Sequence, residues 1–179
     1  MTALTVLAVG ATGSIGRHVV TEAAAAGHRV RALVRSRERA ALLPAGTDAV
    51  IGDVTRPETL TAAFEGVDAV VFTLGTDGQG KVGARTVDYE GVRNVLAAIG
   101  DGGVRIALMT AIGVTDRTGH YNQTTEAHDW KRRSERLVRV SGHPYTIVRP
   151  GWFDDNSPDQ QQVVMLQGDT RHTGTPADG

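Results

Sequence analysis

The chain has 179 residues, of which 40% are hydrophobic, and its formal net charge is −1 with neutral histidines. This length suits one compact domain, and the charge argues against a nucleic-acid partner, whose phosphates usually demand a basic excess. The absence of cysteine excludes disulfides, thiolate metal sites and a cysteine nucleophile. No apolar run approaches the roughly 20 residues of a membrane span. The start lacks the basic region of a signal peptide, so we expect a cytoplasmic protein that does not enter a membrane.

Short apolar segments alternate with longer amphipathic ones along the chain. Six of the short segments have the apolar, partly β-branched character of buried strands, namely residues 4–9, 30–34, 49–51, 68–72, 106–109 and 145–148. Helical spacing or helix start signals mark residues 14–26, 37–43, 57–64, 92–99 and 125–140. Residues 75–83 contain four glycines in nine positions and are predicted to form a flexible loop.

Strands that alternate with helices predict a parallel sheet, since parallel strands need crossover connections. Right-handed crossovers give a doubly wound, Rossmann-like α/β fold with strand order 3-2-1-4-5-6 and helices on both faces. We assign residues 1–150 to this domain. Residues 151–179 are predicted to be an extension, either a lid over the site or part of a larger protein. Ligands bind such sheets at the carboxyl ends of the strands, where the strand order reverses.

A glycine-rich loop follows the first strand directly and opens the first helix. Its spacing is G-x-x-G-x-x-G, which allows a tight turn, close approach of a pyrophosphate and close packing of helix and strand. The helix N-terminus offers N–H groups and a partial positive charge to the anion. The strand-loop-helix context distinguishes this motif from a plain turn. We predict nucleotide binding by Gly10, Ala11, Thr12, Gly13, Ser14, Ile15 and Gly16.

The end of the second strand indicates which nucleotide is bound. An NAD-selective enzyme normally has Asp or Glu here to hold the ribose 2′-hydroxyl. This chain has Arg35 and Arg37, with Arg39 one turn later. A guanidinium pairs bidentately with a 2′-phosphate, so NADP(H) is predicted over NAD(H), with Arg35 as its phosphate ligand. The alternative is that Arg35 is a solvated strand end.

Two further loops contribute candidate cofactor contacts. Asp53 is predicted to accept a hydrogen bond from the adenine amino group while Val54 packs on the ring, although Asp53 would also suit the start of a turn before Pro57. The residues that end the fourth strand are expected to pass close to the cofactor's ribose; they are Thr73, Leu74 and Gly75.

Three stretches together resemble the atypical short-chain dehydrogenase/reductases. They are Gly-Ala-Thr-Gly-Ser-Ile-Gly-Arg at 10–17, Gly-Asp-Val at 52–54 and Ser-Gly-His-Pro-Tyr-Thr-Ile-Val-Arg-Pro-Gly at 141–151. The nearest type is NmrA-like and NAD(P)H-binding, and it is also similar to biliverdin and flavin reductases. The resemblance implies NADP(H) binding at the positions above. It also implies either reduction of flavins, quinones or carbonyl compounds, or a cofactor-sensing role without chemistry.

The wider superfamily uses a Ser or Thr after the fifth strand and a Tyr-x-x-x-Lys pair on the following helix. The resemblance assigns Lys131 to the lysine, which holds the nicotinamide ribose, and Thr110 to the hydroxyl. The tyrosine position is occupied by Ala127, so the usual proton donor is missing. The side chains left as substitutes between the fifth strand and Lys131 are His120, Tyr121 and His128.

The missing acid favours an NADPH-dependent oxidoreductase acting on a small conjugated acceptor. Hydride delivery to a flavin or quinone takes its proton from water and needs mainly proximity and orientation. The alternatives are a non-catalytic NADP(H) sensor, which Ala127 favours, and an isomerase or epimerase. Only His120 and His128, eight residues apart, approach metal-ligand spacing, and without supporting carboxylates no metal is predicted. Asp154, Asp155 and Asn156 would line the substrate pocket or form a solvated loop. A homo-oligomer is compatible with the sequence.

Overall fold

Six parallel strands form one sheet in the computed structural model, which describes residues 2–76, 78–101, 103–151, 153 and 164–168. The strands are β1 (Thr5–Val9), β2 (Arg29–Val34), β3 (Asp48–Ile51), β4 (Ala69–Phe72), β5 (Arg105–Met109) and β6 (Tyr145–Val148). Their order is β3-β2-β1-β4-β5-β6, which confirms the predicted doubly wound fold. Val9 is in register with Leu33 on one side and Phe72 on the other, so the chain reverses its winding beside β1.

Helices connect the strands. They are α1 (Ser14–Ala25), α2 (Arg37–Ala40), α3 (Gly80–Gly83), α4 (Val92–Ile99), α5 (His120–Thr125) and α6 (Ala127–Val140), with 3-10 helices at Pro57–Thr59 and Thr61–Phe64. A π-helical segment (Ala84–Gly91) joins α3 to α4 with helical backbone at both junctions, and we call residues 80–99 the long helix. Within the described ranges, no helix has the length and apolar character that crossing a membrane would require.

Two hydrophobic clusters cover the two faces of the sheet, because side chains alternate along each strand. On β1, Leu7 and Val9 belong to the larger cluster and Ala8 to the smaller one. The larger cluster takes in Val92 and Val95 of α4 and Val138 of α6. The smaller cluster packs against α1 and α2, and its members are Ala8, Ala11, Val20, Val30, Ala32 and Val34. Helices therefore lie on both faces, as predicted.

The predicted loop over residues 75–83 is wrong in its second half, where α3 already begins at Gly80. Glycine is a poor helix former, but once a helix exists each added residue costs little. The long helix also packs extensively on α6. Cooperative extension and tertiary packing therefore override the local glycine content.

Three predicted helices have different bounds or geometry. The helix expected at 125–140 begins at Ala127, because Glu126 has left-handed backbone angles of φ 56° and ψ 11° that separate it from α5. The helix expected at 37–43 ends at Ala40. The segment 57–64 forms two 3-10 helices, the first with Pro57 at its start. Leu60 and Ala63 are buried in the core, but the two helical runs have only three and four residues, too few for the cooperative propagation that stabilises an α-helix.

Candidate functional site

A cleft of about 540 Å³ lies at the carboxyl ends of the strands, where the strand order reverses. The loops after β1, β2, β3 and β4 form its walls, together with Met109 at the end of β5 and part of the long helix. Most of the predicted cofactor residues line it, namely Gly10, Thr12, Gly13, Ser14, Ile15, Arg35, Asp53, Val54, Thr73, Leu74 and Gly75. The sequence prediction and the geometry therefore point to the same place.

The loop between β1 and α1 has the shape of a backbone cradle. Gly10 has a φ of +92°, and a Cβ atom there would lie 2.8 Å from the carbonyl oxygen of Thr73. A Cβ atom on Gly16 would overlap the carbonyl oxygen of Gly10. Ala11 is fully buried beneath the loop. Only glycine fits the first and last positions of the motif, which is the condition for close approach of backbone to a pyrophosphate.

The N-terminus of α1 is open to an anion. Gly13 caps the helix without a side-chain hydrogen bond, and the first turn contains no acidic residue. The Gly13 N–H itself donates to the Gly10 carbonyl oxygen at 3.0 Å and closes the turn. The following N–H groups have no partner inside the helix, so they and the helix dipole would hold a phosphate group.

Positive charge lies along the cleft at the end of β2. Arg35 and Arg39 both line it and are exposed, and no ion pair joins either guanidinium to a carboxylate in the described ranges. Ser36 accepts a hydrogen bond from the Arg39 N–H at 3.4 Å and fixes the start of α2. Among the described residues that line the cleft, Asp53 is the only acid. The predicted preference for a 2′-phosphate rests on these two exposed guanidinium groups.

Asp53 forms the predicted turn and also lines the cleft, so the adenine contact stays a prediction. Its Oδ1 accepts hydrogen bonds from the N–H of Thr55 at 2.9 Å and from the Thr55 hydroxyl at 2.8 Å, which makes a turn. The residue also lines the cleft, and Oδ2 has no partner within the described part of the chain. Val54 is buried beside it, and its carbonyl oxygen accepts a hydrogen bond from Asn94 at 2.8 Å.

Lys131 contacts a residue of the cleft wall. Its Nζ donates to the carbonyl oxygen of Leu74, a lining residue, at 3.4 Å and to Asp88 Oδ1 at 3.0 Å. The side chains of Lys131 and Asp88 are only 15% and 3% exposed. Burial raises the pKa of Asp88, and the Lys131 charge opposes that rise. Sequence reasoning missed Asp88, because nothing local marks it as the partner of a residue 43 positions away.

Thr110 is held in a different buried group and is absent from the cleft lining. Its hydroxyl donates to Glu135 Oε1 at 2.8 Å. Arg149 donates to both oxygens of the same carboxylate, from Nε at 2.8 Å and Nη2 at 2.6 Å. Burial alone would raise the pKa of Glu135, but hydrogen bonds from Arg149 and Thr110 and the charges of Arg149 and Arg139 hold it below its usual value. The structure therefore does not bring Thr110 together with the other predicted site residues.

None of the three predicted substitutes for the missing tyrosine lines the cleft. Ala127 is buried, with 4% of its surface exposed. His120, Tyr121 and His128 are not among the lining residues, and the Tyr121 and His128 rings lie against each other with centroids 5.1 Å apart. Over the described residues, no group of three or more histidines, aspartates or glutamates is placed to bind a metal ion. The predicted segment at 154–156 lies outside the described residues.

Comparison with known proteins shows the family of this chain. Residues 10–178 match the model of a family described as NAD(P)H-binding. The chain belongs to the NAD(P)H-binding family. The match begins at the first glycine of the loop after β1 and runs through every element of the sheet after β1. The resemblance to NAD(P)H-binding atypical short-chain dehydrogenase/reductases is confirmed at this level.

Relatives within the family carry several different names. The Photosystem II assembly factor Ycf39 of Synechocystis is 32% identical over 90% of this chain and 48% of its own length. The uncharacterized sugar epimerase YhfK of Bacillus subtilis is 32% identical over 82% of this chain and 71% of its own length. Sanguinarine reductase of Eschscholzia californica is 27% identical over 93% of this chain and 76% of its own length. The chain thus spans about half the length of the first relative.

A solved structure shares the same architecture. A Bacillus halodurans protein assigned as an NAD-dependent epimerase/dehydratase is 25% identical and superposes with a TM-score of 0.78. The match covers 87% of this chain and 73% of that protein. The two proteins therefore share the same overall fold.

Proposed function

We propose that this family member is an NADPH-dependent oxidoreductase that transfers hydride to a small conjugated acceptor, such as a flavin or a quinone. The observation that carries the proposal is the composition of the cleft. It has a glycine cradle, two arginines that pair with no carboxylate in the described ranges, and Lys131 in contact with its wall, while none of the described lining residues is a tyrosine. NADP(H) supplies the hydride, and the chain's own residues bind and orient it.

The missing tyrosine proton donor limits the kinds of hydride acceptor that the protein can reduce. Reduction of an isolated ketone needs a general acid, whose loss typically costs about 10²–10⁴ in rate. Ala127 cannot provide a proton, and the Thr110 hydroxyl is committed to Glu135. A flavin or quinone spreads the incoming negative charge over a conjugated system and takes its proton from water, so binding and orientation suffice. A relative named sanguinarine reductase supports a reductase activity for this chain.

A non-catalytic NADP(H) sensor is the second candidate. The same two observations, the buried Ala127 and the engaged Thr110, also suit a protein that only binds the cofactor. The relative named Photosystem II assembly factor supports a role in assembly instead of turnover. A sensor would bind NADPH and change its affinity for a partner, while no acceptor would be reduced.

Turnover with three classes of acceptor separates the candidates. Purified protein is mixed with NADPH and menadione, FMN or cyclohexanone, and loss of the reduced nicotinamide absorbance is followed. We expect turnover with the quinone or the flavin and none above background with the ketone. If the protein binds NADPH but does not oxidise it with any of the three acceptors, the result supports the sensor. Ketone reduction at rates matching the quinone would contradict the argument from the missing acid.

A further inference from the structure

We propose that Asp88 is a positioning residue: its buried carboxylate holds the Lys131 ammonium at the cleft wall, and this hold sets the affinity of the cleft for the nicotinamide half of the cofactor. The inference rests on the proposed function, because it assigns Asp88 a part in the same cleft. Asp88 itself is not among the residues that line the cleft and acts through Lys131.

Three separate elements meet at the Lys131 ammonium. Asp88 comes from the π-helical segment, Lys131 from α6 and Leu74 from the loop after β4. The Ser134 hydroxyl, one turn along α6, donates to the backbone carbonyl oxygen of Asp88 and ties the two helices together at the same level. The position of the ammonium is therefore fixed from both helices.

The ammonium keeps one donor for a ligand. A lysine side chain has three N–H groups and no acceptor. Two are used by Asp88 Oδ1 and the Leu74 carbonyl oxygen, and the third has no partner among the described residues. Lys131 is not itself a lining residue, but its contact with Leu74, which is one, makes the third N–H the donor available to a ribose hydroxyl bound beside Leu74.

The charge of Asp88 is balanced by Lys131 alone among the described residues, whereas the buried carboxylate of Glu135 has several partners. Glu135 is contacted by Arg149, Arg139 and Thr110. Within the described ranges, Lys131 is the only charged group that contacts Asp88. A buried carboxylate without a counter-ion is costly, so each member of the pair holds the other in place.

The π-helical segment connects this pair to the rest of the cleft. Thr86 and Val87, just before Asp88, line the cleft themselves. Three residues after Asp88, a Cβ atom on Gly91 would lie 2.8 Å from Cγ2 of Val54, so the segment packs directly on the loop predicted to hold adenine. One short segment thus touches both ends of the site, and π-helical turns occur often at functional sites.

A double-mutant cycle tests whether Asp88 acts through Lys131. Wild type, Asp88→Asn, Lys131→Met and the double variant are titrated with NADPH by nicotinamide fluorescence. Loss of one charge-assisted contact should weaken binding about tenfold in each single variant. The double variant should bind about as weakly as Lys131→Met alone. The double variant removes both charges, so it stays folded even if Asp88→Asn leaves an unpaired lysine that destabilises the chain.

Glu90→Gln is the matched control. Glu90 lies in the same π-helical segment and pairs with Arg85 at 3.0 Å, away from the cleft lining. The same carboxylate-to-amide change there should leave NADPH affinity unchanged. The kinetic readout is the KM for NADPH, which should rise in Asp88→Asn with little change in kcat, because the carboxylate acts on binding and not on the hydride step.

The outcomes separate this inference from the proposed function. If wild type binds NADPH and Asp88→Asn binds equally well, the positioning role is overturned. It is also overturned if the two single effects multiply in the double variant, since Asp88 would then act independently of Lys131. If wild type binds neither NADPH nor NADH, the proposed function itself fails before the cycle begins.

Discussion

The two ends of the cleft are built in different ways. At the phosphate end, the four residues between β1 and α1 form a tight backbone turn, and its glycines matter because they lack side chains. At the opposite end, side chains from distant parts of the sequence form buried charged groups behind the wall, with Asp88 and Lys131 in one and Glu135 and Arg149 in the other. The first end is a local motif, and the second exists only after the chain has folded.

The two buried charged groups also differ from each other. Glu135 ties α6 to the residues that follow β5 and β6 and has a surplus of donors. Within the described part of the chain, Asp88 has a single counter-ion, and that counter-ion also contacts the cleft wall. We therefore expect changes at Glu135 to affect stability first and changes at Asp88 to affect ligand binding first.

The largest expected effect is on stability, from Glu135→Gln. The substitution leaves the Arg149 guanidinium without its carboxylate, and breaking a buried pair typically costs 3–5 kcal/mol. Because the Arg149 side chain retains 19% exposure, we expect the lower end, about 3 kcal/mol of unfolding free energy in urea. Glu58→Gln removes a carboxylate from an exposed pair with Arg56 and should cause no measurable loss. Equal losses in both variants would contradict the structural role of Glu135.

Gly16→Ala should disrupt the phosphate end. The new Cβ atom would overlap backbone at Gly10, so the loop must move, and overpacking of this kind costs about 2 kcal/mol. NADPH binding should be lost in the fluorescence titration because the cradle changes shape. Gly103→Ala is the control, since its Cβ atom would meet nothing within 4 Å. Undiminished NADPH binding by Gly16→Ala would show that this loop is not the phosphate site.

Arg35→Ser should change the choice of nucleotide more than the stability of the fold. Removing a charge-assisted contact to the 2′-phosphate should weaken NADPH binding by about 10- to 100-fold, which corresponds to roughly 1.4–2.8 kcal/mol. NADH, which lacks that phosphate, should bind almost as before. The ratio of the two dissociation constants is the measurement. An equal loss for both nucleotides would mean that Arg35 does not contact the 2′-phosphate.

The smallest expected effect is a difference in how the stability contributions of Glu135 and Asp88 change with pH. The pKa of Glu135 lies below its ordinary value of 4.5, so its contribution to stability is present above pH 4.5 and is lost as pH falls through the folded pKa. The pKa of Asp88 lies above its ordinary 3.8, so its contribution runs the other way and is lost as pH rises through the folded pKa. Urea unfolding of Glu135→Gln and Asp88→Asn across this acid range should give stability differences from wild type with opposite slopes. Parallel slopes would contradict the assigned shifts.

The features that the sequence predicts are those set by local contacts, and the features that it does not predict depend on contacts between distant residues. The alternation of apolar strands with helices predicts the sheet and its order, and the glycine spacing predicts the phosphate end, because both are local signals. Lys131 was found through the resemblance to a family. The sequence places Glu135 on the solvated face of the last helix, which is wrong because its side chain is only 3% exposed. Neither Glu135 nor Asp88 has a local feature that reveals a buried partner 14 or 43 residues away. Thr110 was predicted from its position after β5, but its rotamer and partner depend on packing.

Titration of the unmodified protein with NADPH, followed by nicotinamide fluorescence, tests the central claim most directly. The geometry of the cleft predicts saturable binding of one NADPH per chain and weaker binding of NADH. Binding should disappear in Gly16→Ala and persist in Gly103→Ala. Failure of the unmodified protein to bind either nucleotide would contradict the assignment of the cleft as a nucleotide site.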